Sequence, residues 1–251
     1  MTLKRSVLGW ASRRLYDEAD SMAGSKMKRF VIRFLVAIAL LCAVFGAVLT
    51  VYAAVITGDA SAIVGGLYGL KVGASSIADV ERMASQLRSG VWKKKECDGN
   101  KCLFSFSVDN SLLRKTRLEP AAEFYAEVAV ANGIVRRIFA SLRRDTGVFP
   151  SFPSAGMVTE YEVYPSRHEA LRPYDFPQPI GKPYLDVKLN RYATPEQRRH
   201  AYAFSITCLT KPGRGCDLPC DYLPLAWHDW TPQWETIPGY QIFYPERARC
   251  Q

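Results

Sequence analysis

The sequence lacks the short motifs that mark the common catalytic and nucleotide-binding sites. It contains no Walker loop, no dinucleotide fingerprint at the start of a helix, no calcium loop, no Gly-x-Ser-x-Gly elbow and no HExxH helix. Histidine is also scarce, with three in 251 residues. These absences argue against nucleotide-driven chemistry, and the sequence predicts neither a cofactor nor a bound metal.

Proline is nearly absent from the first half of the chain. Only Pro120 precedes Pro150, and the other fourteen prolines lie from Pro150 onward. Proline removes a backbone donor and breaks helices, so the second half cannot be a long helical bundle. Residues beyond about 148 are therefore expected to form strands, turns and short helices.

Charge is absent from Phe34 to Gly58, a run of mostly Val, Ala, Leu, Ile and Phe. A helix of this length can cross a hydrocarbon core about 30 Å thick. The alternative is the buried helix of a soluble protein, but uncharged stretches this long are rare in globular cores. We predict a transmembrane helix at residues 34–57.

Basic residues are concentrated before this run. Residues 1–33 carry eight Lys or Arg against three Asp or Glu, a surplus of five out of the net nine of the whole chain. The positive-inside rule predicts that this tail is cytoplasmic and that the chain after about residue 58 is periplasmic or extracellular. After residue 33 the excess of basic over acidic residues is small and scattered, so we expect no nucleic-acid partner.

Two alternatives concern the N-terminal part. Ala60-Ser61-Ala62 has the small-x-small form that signal peptidase accepts, but the apolar run is about twice the length of an ordinary signal-peptide core, so we predict an uncleaved anchor. Within the basic tail, apolar residues recur at helical spacing from Leu3 to Leu15. The tail is either an amphipathic helix on the inner leaflet or a disordered basic segment.

One of the seven cysteines, Cys42, lies inside the apolar run, and six lie beyond it. These six are Cys97, Cys102, Cys208, Cys216, Cys220 and Cys250. An even number in an oxidising compartment predicts three disulfides. Turn residues between Cys97 and Cys102 predict a hairpin clasp. Proline and glycine between Cys208 and Cys216 favour that pair, which leaves Cys220 for Cys250.

Zinc binding is the alternative use of Cys208, Cys216, Cys220 and the nearby His228. Structural zinc sites typically contain closely spaced CxxC pairs. The spacing here, seven and then three intervening residues, does not match that pattern. Disulfides are therefore the favoured interpretation.

The segment 58–90 is predicted to be a connector followed by a short strand, at 70–73, and a helix. Ser76 and Asp79 have the spacing of a capping box, and apolar residues continue at helical spacing to about Ser89. The helix is therefore expected to begin directly after Ser76.

The outer domain, residues 91–251, begins with two predicted hairpins. The first contains the proposed disulfide clasp within 91–108. The second joins 124–131 to 134–139 through Asn132-Gly133, the preferred dipeptide for a type I′ turn. These patterns predict an α+β domain, rich in antiparallel sheet and stapled by disulfides, with two or three short helices.

The proline-rich half contributes further strands and one clear helix signal. Strand patterns occur at 158–164, 184–189 and 240–244. Thr194, Pro195 and Gln197 combine an N-cap, an N1 proline and a capping-box partner. The residues expected on the buried face of this helix are Ala201, Phe204 and Cys208. Two subdomains meeting near residue 148 are the alternative to a single domain.

Candidate catalytic residues are few. The histidines are His168, His200 and His228. Asp229 follows His228, but neighbours in sequence usually point apart. Glu160 and Glu162 would share one face of a strand and could form a carboxylate pair, although exposed strands often carry such alternation. The pattern favours structural roles over catalysis for these residues.

A group of aromatic and acidic residues near the C-terminus is a candidate ligand surface. Its members are Tyr222, Trp227, Asp229, Trp230, Trp234 and Tyr240. Flat rings beside a carboxylate suit sugar binding, whereas the alternative is that the rings fill the core of the proline-rich half.

Three functional hypotheses follow. The leading one is a noncatalytic, membrane-anchored cell-envelope protein that binds or assembles another envelope component. The second is a glycan or cell-wall-binding module that uses the aromatic group. The third is an envelope hydrolase that uses Glu160, Glu162 or His228.

Overall fold

The structure is a computed structural model, and it describes residues 6–116, 120–145, 154–162, 184–211, 216 and 218–234. The chain forms two compact units, Met1–Val51 and Tyr52–Gln251. Among the described residues, a long helix, a six-stranded sheet and several short helices are present. The predicted α+β class is confirmed.

Helix α1 (Ser6–Gly69) contains the whole first unit from Ser6 onward. Large apolar side chains are exposed on every side of the helix from Phe30 to Val51. The segment from Phe30 is long and apolar enough to cross a membrane. This stretch has no packing partner among the described residues, unlike the core helix of a soluble domain. The tail is helical from Ser6, and its contact with a lipid surface stays a prediction.

The second part of α1 belongs to the folded unit. Ile56, Ala60, Ile63 and Leu67 are buried at spacings of four, three and four residues, which is the stripe expected for a helix with one side against a core. The prediction of a connector and a strand at 70–73 was wrong. The apolar stripe continues the helix to Gly69, and a turn follows it.

Helix α2 (Ile77–Gln86) begins at the predicted capping box. Ser76 and Asp79 exchange both capping hydrogen bonds, and the hydrogen bond from the Ser76 backbone N–H lowers the pKa of the Asp79 carboxyl. Val80 and Met83 are buried on its inner face. At Gly66 of α1, an added Cβ would lie 2.5 Å from Met83 Cγ, so glycine permits this close approach.

The sheet has six strands in sequence order. The strands are β1 (Trp92–Asp98), β2 (Lys101–Asp109), β3 (Ala122–Ala131), β4 (Ile134–Arg144), β5 (Ser154–Tyr161) and β6 (Tyr184–Asn190). Strands β1 to β5 pair antiparallel, whereas β6 pairs parallel to β5. Strands β5 and β6 come from the proline-rich half, so both halves share one sheet rather than forming two subdomains.

Both predicted hairpins are present. Cys97 and Cys102 lie directly opposite each other on β1 and β2 and are joined by a disulfide. Asn132 and Gly133 connect β3 to β4 with φ of 53° and 75°, the left-handed backbone that a type I′ turn requires.

Five short α-helices and one 3-10 helix accompany the sheet in the described residues, more than the two or three predicted. Besides α2 they are α3 (Ser111–Lys115), α4 (Pro195–Ala201), the 3-10 helix (Ile206–Leu209), α5 (Pro219–Tyr222) and α6 (Pro224–Trp234). Helix α4 has the predicted capping box of Thr194 and Gln197. It ends at Ala201, however, and Cys208 is buried from the 3-10 helix instead.

The core lies on one face of the sheet. Alternate residues of β3, including Phe124, Ala126 and Val128, are fully buried there. The burial of β3 has the period of two that a strand with one covered face requires. The predicted strand at 240–244 lies outside the described residues.

Candidate functional site

Glu160, one of the two candidate catalytic glutamates, is buried under an arginine. Arg198 of α4 contacts the Glu160 carboxylate at 3.0 Å, and the side chains are 12% and 3% exposed. The Tyr202 hydroxyl donates a further hydrogen bond to the same carboxylate oxygen, at 3.3 Å. We call Glu160, Arg198 and Tyr202 the Arg198 cluster.

Arg198 also holds the end of α1. Its guanidinium donates hydrogen bonds to the backbone carbonyls of Tyr68 (3.1 Å) and Leu70 (2.8 Å). Carbonyls at a helix C-terminus have no partner within the helix, and a cation stabilises that end. The same guanidinium lies over the rings of Tyr68 and Tyr202. The cluster therefore joins β5, α4 and α1.

Burial dominates the ionisation of this cluster. Loss of water raises the pKa of the Glu160 carboxyl, and the charge of Arg198 offsets part of that rise. Burial likewise raises the pKa of the Tyr202 hydroxyl well above its usual range. A buried carboxylate fully engaged by an arginine and a tyrosine has the geometry of a structural ion pair.

Glu162, the second candidate glutamate, has a different partner. Its carboxylate is bound by the Arg136 guanidinium of β4. Each glutamate is thus occupied by its own arginine, and the arrangement favours structural roles for both. Catalysis by this pair would require at least one ion pair to open.

Asp229 is paired with a different histidine from the one next to it in sequence. His228 is exposed, whereas the Asp229 carboxylate is hydrogen-bonded to His200 Nδ1 of α4. Arg199 Nη2 lies 3.4 Å from His200 Nε2, the other ring nitrogen. This pair joins α4 to α6, and the third histidine, His168, lies outside the described residues.

The aromatic residues of the predicted ligand surface fall into two groups. Tyr222 is fully buried and its hydroxyl donates to the Cys216 carbonyl, and Trp227 is 5% exposed. These two rings fill the core, which removes them from the predicted ligand surface. Trp230 and Trp234 lie on α6, but their side chains and the whole of Tyr240 lie outside the described residues. Their role in ligand binding stays a prediction.

The disulfide predictions are confirmed where the structure describes them. Cys97 pairs with Cys102 and Cys208 with Cys216. Cys220 is also disulfide-bonded, and its predicted partner Cys250 lies outside the described residues. A disulfide sulfur is not a thiolate, so the zinc alternative loses these ligands. In the described part of the chain, no cluster of His, Cys, Asp or Glu could hold a metal.

Sequence reasoning missed Arg198 and Asp186. The Asp186 carboxyl points to the sheet face opposite the core, where burial raises its pKa and Lys188 at 3.7 Å partly offsets the rise. Its Oδ1 atom is buried and has no hydrogen-bond partner among the residues that the structure describes. The alternation of Leu185, Val187 and Leu189 with polar residues could have revealed this position.

Strand β1 is an edge of the sheet, and all seven of its residues are exposed. Trp92 is 52% exposed at its start. Lys93 donates to the carbonyls of Ala84 and Leu87 at the end of α2, and Lys95 forms an ion pair with Glu81. Lysines on an edge strand oppose indiscriminate pairing with other strands.

Comparison with known proteins gives no family assignment. No family model, no curated protein and no solved structure matches this chain. Functional inference therefore rests on the sequence and geometry of the chain itself.

Proposed function

We propose that the chain is a single-span membrane protein of the cell envelope that acts as a noncatalytic binding or assembly module. The tail, residues 1–33, is cytoplasmic, and the unit from Tyr52 onward is extracytoplasmic. The observation that carries the proposal is α1, which is apolar and exposed on all sides from Phe30 to Val51 and then becomes part of a packed core.

The exposed part of α1 favours a lipid environment. Fourteen large apolar side chains from Phe30 to Val55 are at least 40% exposed. Removing such a side chain completely from water is worth about 1.5–3 kcal/mol, so the set represents a large unfavourable hydration term in water. A bilayer removes that term, and a helix satisfies its own backbone hydrogen bonds there.

Two further observations support an uncleaved anchor and an oxidising compartment. Ala60, within the possible cleavage motif, is helical and fully buried in the folded unit, whereas a protease needs accessible, extended backbone. The disulfides Cys97–Cys102 and Cys208–Cys216 lie in the unit beyond the span. Disulfides persist outside the reducing cytosol.

Strand β1 is the surface on which we propose a protein partner binds. Its outer edge pairs with no described strand, so its backbone groups are available for an added strand. The three lysines of β1 already have partners within the chain, so backbone hydrogen bonding rather than charge is what holds the added strand. Recognition of this kind requires no catalytic group.

Anchoring is tested on the full-length chain in its native membrane. After extraction at alkaline pH, the protein is expected to stay in the membrane pellet. Denaturation without reductant, followed by a thiol-reactive polymer, is expected to modify a single thiol, Cys42. Release into the soluble fraction would overturn the anchor, and several reactive thiols would overturn the oxidising compartment.

Partner binding is tested with a photoreactive amino acid placed on β1. Substitution at Lys94 is expected to give a discrete cross-linked species in the native membrane. Substitution at Glu196, an exposed position on α4, serves as the matched control and should give none. Equal cross-linking at both positions, or none at Lys94, would contradict a partner on β1.

A further inference from the structure

The outer edge of β1 is exposed along the whole strand, and β1 is the last strand at its end of the described sheet. Cys97 lies directly opposite Cys102 of β2 with a Cα–Cα distance of 4.1 Å, the short spacing of a pair that exchanges no backbone hydrogen bonds. The backbone N–H and C=O groups of Cys97 therefore point away from β2. Because these directions alternate along a strand, Lys93 and Lys95 also direct their backbone groups outward.

The side chains of β1 alternate between two faces of the sheet. Lys95 points toward α2, where its Nζ lies 2.7 Å from the Glu81 carboxylate. Trp92, Lys94 and Glu96 therefore lie on the other face, which we call the open face. There Lys94 Nζ lies 2.5 Å from Glu96 Oε1, and both side chains are more than half exposed. An added strand would meet one positive and one negative charge on this face.

A cavity of about 390 Å³ lies on the open face at the hairpin end of β1. Glu96, Leu103 and Ala129 lie opposite one another across β1, β2 and β3, and they line the cavity together with the Cys97–Cys102 disulfide. Trp92 is 52% exposed and lies about 13 Å from Glu96 along the same strand. The ring is therefore too far away to fill the cavity of its own chain.

The charges of β1 select one register for pairing with a second copy of the strand. In the two-fold antiparallel pairing centred on Lys95, Lys94 of each copy lies opposite Glu96 of the other. Pairings centred on Lys94 or on Glu96 set like charges directly opposite each other, and so does a two-fold parallel pairing, in which each residue meets its own counterpart. Opposite charges across a strand pair stabilise it and like charges destabilise it.

Two further features agree with the register centred on Lys95. The strands would exchange hydrogen bonds through the backbone groups of Lys93, Lys95 and Cys97, which are the groups that point outward. The two Lys95 side chains would lie opposite each other on the α2 face, where each is already neutralised by the Glu81 of its own copy. Backbone hydrogen bonds would hold the strands together, and the Lys94 and Glu96 charges would set their alignment.

The same register brings the exposed ring to the cavity. Trp92 of one copy would lie directly opposite Asp98 of the other and diagonal to its Glu96, and aromatic side chains reach diagonal neighbours. A two-fold axis perpendicular to the sheet keeps the open face of both copies on the same side. The Trp92 ring would therefore lie beside Leu103 in the cavity of the other copy, and the contact would occur twice.

We propose that the partner that binds β1 is a second copy of this chain. The two β1 strands pair antiparallel around Lys95, and Trp92 of each copy packs into the cavity at the hairpin end of the other. This inference rests on the proposed function and names the occupant of the β1 edge. Because the same edge is used by both copies, the contact closes at a dimer.

The test uses charge reversal in the full-length chain, purified in mild detergent. Energy transfer between two differently labelled populations measures the dissociation constant of the dimer. Wild-type chains are expected to associate. When both populations carry Lys94→Glu, or both carry Glu96→Lys, the two cross-strand pairs become like-charged, and the dissociation constant should rise about tenfold.

Mixing the two variants is the decisive measurement. A chain with Lys94→Glu and a chain with Glu96→Lys have opposite charges at both pairs when they meet, so the mixture should associate about as tightly as the wild type. Neither a change in net charge nor a loss of fold would produce this recovery. Lys71→Glu and Glu196→Lys make the same changes at exposed positions outside β1 and should leave the dissociation constant unchanged.

The aromatic contact is tested by Trp92→Ala, which should also weaken the dimer. Tyr192→Ala removes another exposed ring, 65% exposed and outside β1, and should have no effect. Near-ultraviolet circular dichroism of each variant should match the wild type, which shows that the fold is retained. Equal weakening by Trp92→Ala and Tyr192→Ala would contradict packing of Trp92 in the cavity.

Three results would overturn the second copy as the partner: no energy transfer between wild-type chains, a dissociation constant unchanged by the reversals, or a mixture no tighter than either variant alone. In each case, a cross-link from the photoreactive residue at position 94 to a different protein would leave the proposed function standing. Absence of any cross-link at that position would remove both proposals.

Discussion

The two parts of α1 have the same backbone and different surroundings. From Phe30 to Val51 apolar side chains cover every side of the helix and are exposed, whereas from Tyr52 to Gly69 they form a stripe that packs into the folded unit. In the first part the apolar composition alone, without any regular spacing, predicts a lipid environment. In the second part the position of each apolar residue matters, because only one side of the helix is buried.

The largest effect is expected where the second part of α1 is fixed to the rest of the fold. Arg198→Ala should destabilise the folded unit by about 3–5 kcal/mol, because it leaves Glu160 buried without its counter-charge and releases the α1 carbonyls. Urea unfolding in mild detergent, followed by near-ultraviolet circular dichroism, measures the change.

A double variant serves as the control for the Arg198 cluster. Glu160→Leu combined with Arg198→Met removes both charges and keeps apolar volume, so it should recover much of the lost stability. If the single Arg198→Ala variant unfolds at the wild-type urea concentration, the cluster does not hold the end of α1.

A smaller effect compares the two parts of the helix directly. Ile63→Ala should cost about 2–5 kcal/mol, because Ile63 is fully buried and truncation leaves a cavity. Val44→Ala, in the exposed part, should change the stability of the folded unit by less than about 0.5 kcal/mol. The same urea experiment measures both. Equal changes in the free energy of unfolding at the two positions would show that the two parts of α1 do not differ in their contribution to the folded unit.

The capping box of α2 should contribute less again. Ser76→Ala removes the side-chain acceptor for the Asp79 backbone N–H and should cost about 1 kcal/mol. Ser85→Ala, at an exposed position later in α2, is the matched control and should change the stability little. An effect of Ser76→Ala no larger than that of Ser85→Ala would contradict a role for the cap.

Local signals in the sequence predicted much of this fold. The Ser76 and Thr194 caps, the Asn132-Gly133 turn and the two disulfides depend on residues close together in the chain, and all are present. The partners of Arg198 and Asp229 could not be found in this way. Arg198 meets Glu160 across 38 residues and Tyr68 across 130, and only the packed fold brings them together.

The predicted span overlaps the folded unit for a related reason. An uncharged run extends to Gly58, and hydropathy counts every apolar residue alike, so the span was predicted to end at residue 57. Ile56 is already buried in the folded unit, and Asp59 is buried one turn later, 3.9 Å from Arg88. Apolar side chains are favoured both in a protein core and in a bilayer core. Hydropathy therefore cannot distinguish the two, and tertiary contacts are needed to do so.

The smallest predicted effects are two opposite dependences of stability on pH. Burial raises the pKa of Glu160 above its usual 4.5, so the folded state binds this proton more tightly than the unfolded chain does. Its contribution to stability is full below about pH 4.5 and is lost as pH rises through the folded pKa. Hydrogen bonds lower the pKa of Asp79 below 3.8, so its contribution is present above that pH and is lost as pH falls through the folded pKa.

Urea midpoints measured from pH 3 to 8 separate these two groups. The wild type should lose stability relative to Glu160→Gln as pH rises, and should lose stability relative to Asp79→Asn as pH falls toward about 3. The comparison with Glu160→Gln measures the pH response of the buried carboxyl at the end of α1. The comparison with Asp79→Asn measures the pH response of the exposed helix cap. Slopes of the same sign for both pairs would mean that Glu160 is held as a stabilised carboxylate by Arg198, and that the charge of the arginine outweighs burial.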